Sequence, residues 1–442
     1  MDSQNILEQL NSGNKVKRLE LLESFSEDKN LVSTLPGESE EVNNHVHTSY
    51  SFSPYSPAAT VWFARAAGLK AVGSMDHDSI SAARETLDAG KIMGMATTVG
   101  FELRVNFSGT AMEGRKLNNP DSKNIVYMTV HGVPESGIAE AEAFLKPLQD
   151  KRNERNRKQT EKLNKLIAPF GLEPLDFEKD IASLSEWKNG GSITERHILF
   201  GLSTALVAKF GKGSALISFL KETMGLELKG KALEFLSDEN NPHYLYDLLG
   251  LLKGNFLPRF FIQPDEEECI SVHDVVRFAD KIGGIPSYAY LGDVGESPTG
   301  DKKAEKFEDD FLDDLVPELK KIGFRAITYM PPRNTVEQLT RLQKLCSRYE
   351  LMEISGVDIN SSRQSFNCPE IMMPEFSHLI GATWALIAHE KLAALNPQWS
   401  LFHPENPLSS LSLDERISRY ARWGEKMDRR NPDSIRDLAD FS

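Results

Sequence analysis

The chain has 442 residues, 40% of them hydrophobic and 26% charged, with a formal net charge of −14. These proportions fit a folded globular protein with a sizeable core and exclude a disordered or low-complexity chain. The negative balance disfavours nucleic acid as a partner, because backbone phosphates require concentrated positive charge.

No apolar stretch approaches the roughly 18 residues that cross a bilayer. The start Met1-Asp2-Ser3-Gln4 lacks a signal peptide's basic and apolar regions, so the expected location is cytoplasmic, away from membranes. Cys269, Cys346 and Cys368 include no close pair and read as buried small hydrophobes.

Residues 1–40 read as a helical extension, with Val16, Leu19, Leu21, Leu22 and Phe25 at near-helical spacing. Strands and helices then alternate. Val42 to His47 predicts a strand, Ala58 to Ala67 a small-residue helix, Ala71 to Met75 a strand, Ser81 to Met93 a helix and Ala96 to Phe107 a strand. Such alternation implies a parallel sheet or barrel with ligands at the C-terminal strand ends.

A further strand, Ile125 to Val130, precedes a mainly helical insertion over 135–280. The rhythm returns with strands at Gly284 to Tyr290, Arg325 to Tyr329 and Met352 to Asp358, separated by helices around Phe307 to Ile322 and Val336 to Tyr349. Residues 41–134 and 281–368 thus form the α/β part, and 369–442 a helical, proline-punctuated tail.

The sharpest local feature is Asn44-His45-Val46-His47. Residues i and i+2 of a strand share a face, so both imidazoles can reach one metal ion. Met75-Asp76-His77-Asp78 closes the next strand and can equally be a helix-capping turn. Glu102 sits among apolar neighbours, where an unpaired carboxylate is costly and a metal would resolve that cost. His131 ends the fourth strand and Asp358 the last. A histidine or carboxylate at the same end of five strands describes a metal site.

In order, His45-Val46-His47-Thr48-Ser49-Tyr50-Ser51, Met75-Asp76-His77-Asp78, Gly100-Phe101-Glu102, Ile193-Thr194-Glu195-Arg196-His197, Gly284-Ile285-Pro286 and Gly356-Val357-Asp358-Ile359-Asn360 resemble the PHP (polymerase and histidinol phosphatase) superfamily, over roughly Asn43 to Phe366. The resemblance implies a distorted seven-stranded β/α barrel, related to the TIM barrel, that binds divalent ions and hydrolyses phosphate esters. It places His45, His47, His77, Glu102 and Asp358 at ligand positions, Glu102 bridging. Asp76 joins them as a candidate, and His131 lies close to another ligand position. His197 matches a histidine lining the family site, with Glu195 where an arginine is usual and Arg196 one step along.

Three departures follow. Phe52 replaces an expected aspartate, and Tyr290 and Asn360 replace expected histidines, leaving oxygen donors there. The expectation is therefore one to three ions of zinc, manganese or iron.

The implied reaction is attack by metal-activated water on a small phosphorylated metabolite or nucleotide. Phosphate would want an arginine fork, from Arg196 or Arg363. Lys151 to Lys158 reads as a solvated helix face, or as the place from which Arg152 or Arg155 grips substrate. The roles are thus catalytic for Glu102, His197 and Arg363, and substrate-binding for Arg196, Arg155, Tyr290 and Asn360. The alternative is an altered module that binds a phosphorylated ligand or partner without turnover. Glu308 to Asp314 reads as part of an amphipathic helix. His243, His378, His389 and His403 read as structural or exposed.

Overall fold

The computed structural model describes residues 2–119, 122–293 and 308–441. Seven strands form one sheet in chain order: β1 (Val42–Val46), β2 (Ala71–His77), β3 (Ala96–Asn106), β4 (Ile125–His131), β5 (Ile285–Ala289), β6 (Ala326–Tyr329) and β7 (Met352–Ser355). A parallel bridge from Val46 to Ile359, just beyond β7, brings the two edges together. The His47 amide donates to the Ile359 carbonyl at 3.0 Å there. The result is a distorted, nearly closed α/β barrel.

The pairings are parallel except around β4, which runs antiparallel to both β3 and β5. The sequence reading of a parallel sheet or barrel thus holds for the strands on either side of β4. Among the described residues no helix lies between β3 and β4, and parallel neighbours are usually joined through one. The end of β4 therefore lies at the opposite rim from the ends of β1, β2 and β3. His131 pairs with Ile285, the first residue of β5.

Local sequence explains the connecting helices. Pro57–Ala66 is capped by the Ser56 side chain, has proline in its first turn, and buries Ala58, Ala59 and Ala64, small side chains that let a helix lie close to a sheet. Ala83–Met93 stops at Gly94, whose φ of 63° suits glycine's freedom in left-handed backbone. Leu312–Ile322 buries Leu312, Leu315, Leu319 and Ile322, the amphipathic pattern expected there; Phe307 lies outside the described residues.

The tail supplies the barrel's floor. The helix His378–Leu395 is buried almost all round, including Trp384, Leu386, Ile387 and His389, as a helix enclosed by protein must be. It crosses the rim where β3 begins and β4 ends. The Thr383 hydroxyl accepts from Asn44 at 2.7 Å, and the Glu390 carboxylate accepts from the Thr98 hydroxyl and the Val99 amide, both at 2.7 Å.

The insertion has its own apolar core, around Leu163, Leu202, Leu248 and Phe256. Val272–Ile282, which the sequence groups with it, instead buries Val275, Val276 and Ala279 in the barrel core. At the N-terminus, Ile6, Leu10, Leu22 and Phe25 pack with Tyr55 and Trp62. Val16 is 62% exposed rather than on the buried stripe. The three cysteines are free and buried.

Gly132, just past β4, has φ 59°, and a Cβ there would lie 2.7 Å from Leu386 Cδ1. Gly132→Ala should therefore lose about 2–4 kcal/mol, left-handed strain plus overpacking against the floor helix. Urea unfolding measures this, and a loss below about 1 kcal/mol would show that the floor yields easily.

Candidate metal centre

The site is assembled by register. β2 and β3 pair so that His77 lies beside Glu102, and β1 brings His45 and His47 from the other side. Asp358 arrives through the bridge that closes the barrel. Glu102 Oε2 is 3.2 Å from His77 Nδ1, 3.5 Å from His45 Nε2 and 3.7 Å from His47 Nε2, while His47 Nε2 is also 3.1 Å from Asp358 Oδ1. The His47 and His77 rings stack with centroids 4.5 Å apart.

Two overlapping triads result: His45, His47 and Asp358, and His47, His77 and Glu102, each with its donor atoms within 4.8 Å of one another. Imidazole with carboxylate suits a zinc, manganese or iron ion. His47 Nε2 is buried and is common to both triads, lying between the Asp358 and Glu102 carboxylates.

Burial opposes charge on every member, and the neighbours decide the outcome. Burial would raise Glu102, yet the His77, His45 and His47 imidazoles hold it down at about 2. Burial pushes His77 down to about 3, against the pull of Glu102. At His47 burial also disfavours charge, but the Asp358 and Glu102 carboxylates outweigh it and raise the pKa. Asp358, despite burial, is held well below the carboxylate range by His47.

Asp76 is not in this cluster. Its carboxylate accepts from the Thr48 amide and hydroxyl, both at 2.7 Å, and from the Ser51 hydroxyl at 2.6 Å. Ser51 Oγ lies 3.3 Å from His47 Nδ1. Asp76 thus fixes the loop after β1 and, through Ser51, orients His47; a side chain pointing to the other face from His77 could not also be a ligand.

His131 lies outside the two triads, yet close enough to His45 and Glu102 for their charges to act on its ring. It lies two residues beyond Thr129, the partner of Glu102. Burial lowers it to about 3, and both ring nitrogens lack hydrogen-bond partners.

His197 caps its own helix, Glu195–Phe210: its Nδ1 accepts the Thr194 amide at 2.9 Å. Its ring meets Phe52 edge-on at 5.0 Å. Phe52, in place of the expected aspartate, is turned into the insertion's core. These are packing roles, not contacts with the ligand cluster.

Arg363 is held by Asp247 at 2.9 and 2.7 Å and lies over the Phe235 ring at 3.9 Å, joining the post-β7 loop to the insertion. Its charge is committed there. The Tyr290 hydroxyl donates to Asp309 at 2.6 Å, away from the triads. Arg196 and Asn360 do reach the site: the half-buried Arg196 guanidinium donates to Asn360 Oδ1 at 2.9 Å, and Asn360 Nδ2 donates to Asp358 Oδ1 at 2.7 Å.

Arg152 and Arg155 are buried, unlike the exposed Arg157 and Lys158 beside them. With Arg104 of β3 they form an ion-pair network against Asp78, Glu195 and Glu268. Arg155 donates to Glu195 at 2.6 Å and to Glu268 at 2.6 and 2.8 Å, and Arg152 to Glu195 at 2.8 Å. Arg104 pairs with Glu268 and Arg152 with Asp78. Arg104 and Glu268 carry no motif or periodicity, so the sequence held no signal for them.

No family model and no curated protein matches this chain. Among solved structures, it resembles a protein from Bifidobacterium adolescentis assigned as a metal-dependent phosphoesterase, at 18% identity and a TM-score of 0.48, over 76% of this chain and 96% of that one. It also resembles an amidohydrolase from Chromobacterium violaceum, solved with bound sulfate and no metal, at 15% identity and a TM-score of 0.47, over 77% of this chain and 96% of that one. At such scores these likenesses add nothing to what the residues themselves show about chemistry.

The Asp358 and Glu102 carboxylates favour the charged form of His47, so an ion binding there competes with a proton. Metal uptake should therefore release protons and weaken steadily as pH is lowered from 8 to 6, a window around the ordinary histidine pKa of about 6.5. Titration calorimetry in buffers of different ionisation enthalpy reads the proton count. Heats that do not depend on the buffer would contradict it.

Proposed function

We propose that this protein is a metal-dependent hydrolase that holds divalent ions on His45, His47, His77, Glu102 and Asp358 and cleaves the phosphate ester of a small metabolite or nucleotide. One observation carries the reading: a single buried carboxylate, Glu102, faces three imidazoles from three directions at 3.2–3.7 Å. Bound ions would supply Lewis acidity and an activated water, the requirements of phosphate-ester hydrolysis.

The chain's own residues do the remaining work. Glu102 stands where it can bridge two ions. Asp76 and Ser51 orient His47, and Asn360 orients Asp358 while holding Arg196. Arg196 donates to a neutral amide, so its charge is available to orient a phosphoryl oxygen. Arg104, Arg152 and Arg155 face buried carboxylates instead, and these neutralise them.

Phe52, turned away from the ligand cluster, leaves one other reading: a module that binds a phosphorylated ligand or partner without turnover. Metal content after loading with zinc, manganese or iron, combined with a phosphate-release screen, separates the two. Turnover supports the hydrolase, stoichiometric binding without turnover supports the module, and a folded protein that takes up no metal defeats both.

Glu102→Gln should cut turnover at least about a hundredfold, since even outer partners of metal ligands are worth about 10–100-fold. Arg196→Ala should raise KM about tenfold or more, as loss of a charged hydrogen bond worth about 1.5–3 kcal/mol implies. Arg363→Ala should leave KM unchanged. Equal rises in the two arginine variants would return Arg363 to the substrate.

A further inference from the structure

The helical extension before β1 contains a side chain that hydrophobic patterning does not anticipate. Arg18, on the helix Lys15–Glu27, is 1% exposed. Its Nε and Nη2 donate to the two oxygens of Glu85 at 2.8 and 2.7 Å, and its Nη1 donates to Glu186 and to the Gly13 carbonyl, both at 2.8 Å. Glu85 is fully buried on the barrel helix Ala83–Met93, and Glu186 belongs to the insertion. A guanidinium thus joins the extension, the barrel and the insertion, using the fork geometry that only arginine has.

Glu186 leads to the metal centre. Its amide donates to the Ser49 carbonyl at 2.9 Å, and six residues later the Ser192 amide donates to the Tyr50 carbonyl at 2.7 Å. Segment 186–192 therefore lies against the loop after β1. On that loop's other side Asp76 binds Thr48 and Ser51, and Ser51 reaches His47 Nδ1. The extension grips the same loop further on: Asn11 bonds the Pro54 carbonyl and the Ser56 amide at 2.7 and 2.8 Å, and Ser56 bonds the Leu10 carbonyl at 2.7 Å.

We propose that Arg18 is a positioning residue for the metal centre, clamping residues 48–56 through Glu85 and Glu186 so that the His47 imidazole is held ready for an ion. The proposal rests on the hydrolase reading for its metal and on the loop geometry for its mechanism. Without Arg18 the buried Glu85 carboxylate would lose its counter-charge and the half-buried Glu186 its tie to the barrel, an arrangement costlier than the intact triad. Segment 186–192 would lift, and the backing of Ser49 to Ser51 would go with it.

The test uses the full chain and manganese alone, with no substrate. Arg18→Met should weaken manganese binding about tenfold, at the lower end of what outer partners of ligands contribute. It should also speed amide hydrogen exchange at Ser51 and Ser192, whose amides the clamp protects. Arg18→Lys, charged but without the fork, should recover part of both. Ile435→Ala, a buried truncation in the tail, gives a similar loss of Tm and should leave manganese affinity unchanged.

Should Arg18→Met fail to fold, Glu186→Gln keeps the Arg18–Glu85 pair and is expected to weaken binding about threefold, as loss of charge from a retained hydrogen bond suggests. Unaltered affinity and exchange in the Arg18 or Glu186 variants would overturn the proposal, as would an equal loss of affinity in Ile435→Ala. A wild-type protein that binds no manganese would count against the hydrolase reading, and the exchange rates would still decide whether the clamp exists.

Discussion

Taking a carboxylate out of water costs several kcal/mol unless something replaces its hydration, and Glu102 has only imidazoles to do it. His45, His47 and His77 surround one oxygen of that carboxylate. Imidazoles are poor permanent counter-charges near neutral pH but good ligands. On the reading proposed above, a cation would complete the arrangement. The barrel's register serves the same need: His77 ends β2 directly beside Glu102, which lies within β3, and the Val46–Ile359 bridge must form for Asp358 to arrive.

Two buried charged networks lie near each other and differ in kind. In the imidazole and carboxylate cluster, His47 Nε2 lies between two carboxylates, 3.1 Å from Asp358 and 3.7 Å from Glu102. In the other, Arg104, Arg152 and Arg155 are matched by Asp78, Glu195 and Glu268, and six charges cancel. A closed network of this sort fixes geometry and binds little. Asp78 belongs to it and follows His77 directly, so the rigid network steadies the turn that delivers a ligand. Asp78 has φ 50°, a strained backbone held by its surroundings.

Much of this was legible in the sequence because strand chemistry is periodic. His45 and His47 share a face by spacing alone, and His77 and Glu102 each end or occupy a strand whose apolar pattern marks it, while Asp358 lies past β7, next to the bridge that closes the barrel. Asp76, next to His77 in sequence, is engaged by Thr48 and Ser51, since neighbours in a strand point to opposite faces. His131 stands outside the triads on the antiparallel β4, two residues along from the partner of Glu102. Tyr290 directly follows β5 and Arg363 lies in the loop after β7, yet Asp309 and Asp247 claim them, and no local pattern announces partners so far along the chain. The burial of Arg18 had no signal either, since a cation on an amphipathic helix reads as solvated until its two carboxylates are seen.

The segments outside the recognisable motifs complete the barrel. A ring of seven strands, one of them reversed, cannot use the repeating helix layer that covers a regular eight-fold barrel. The helix His378–Leu395 fills the rim where β4 ends, with the buried Glu390 bound to Thr98 and Val99 of β3. The N-terminal helices cover the flank beside β1 with Leu22, Phe25 and Arg18. Each addition therefore stands next to an irregularity, one at the reversed strand and one at the long loop after β1. The metal-ligating face stays at the other rim, where strand ends and insertion meet and neither addition closes it.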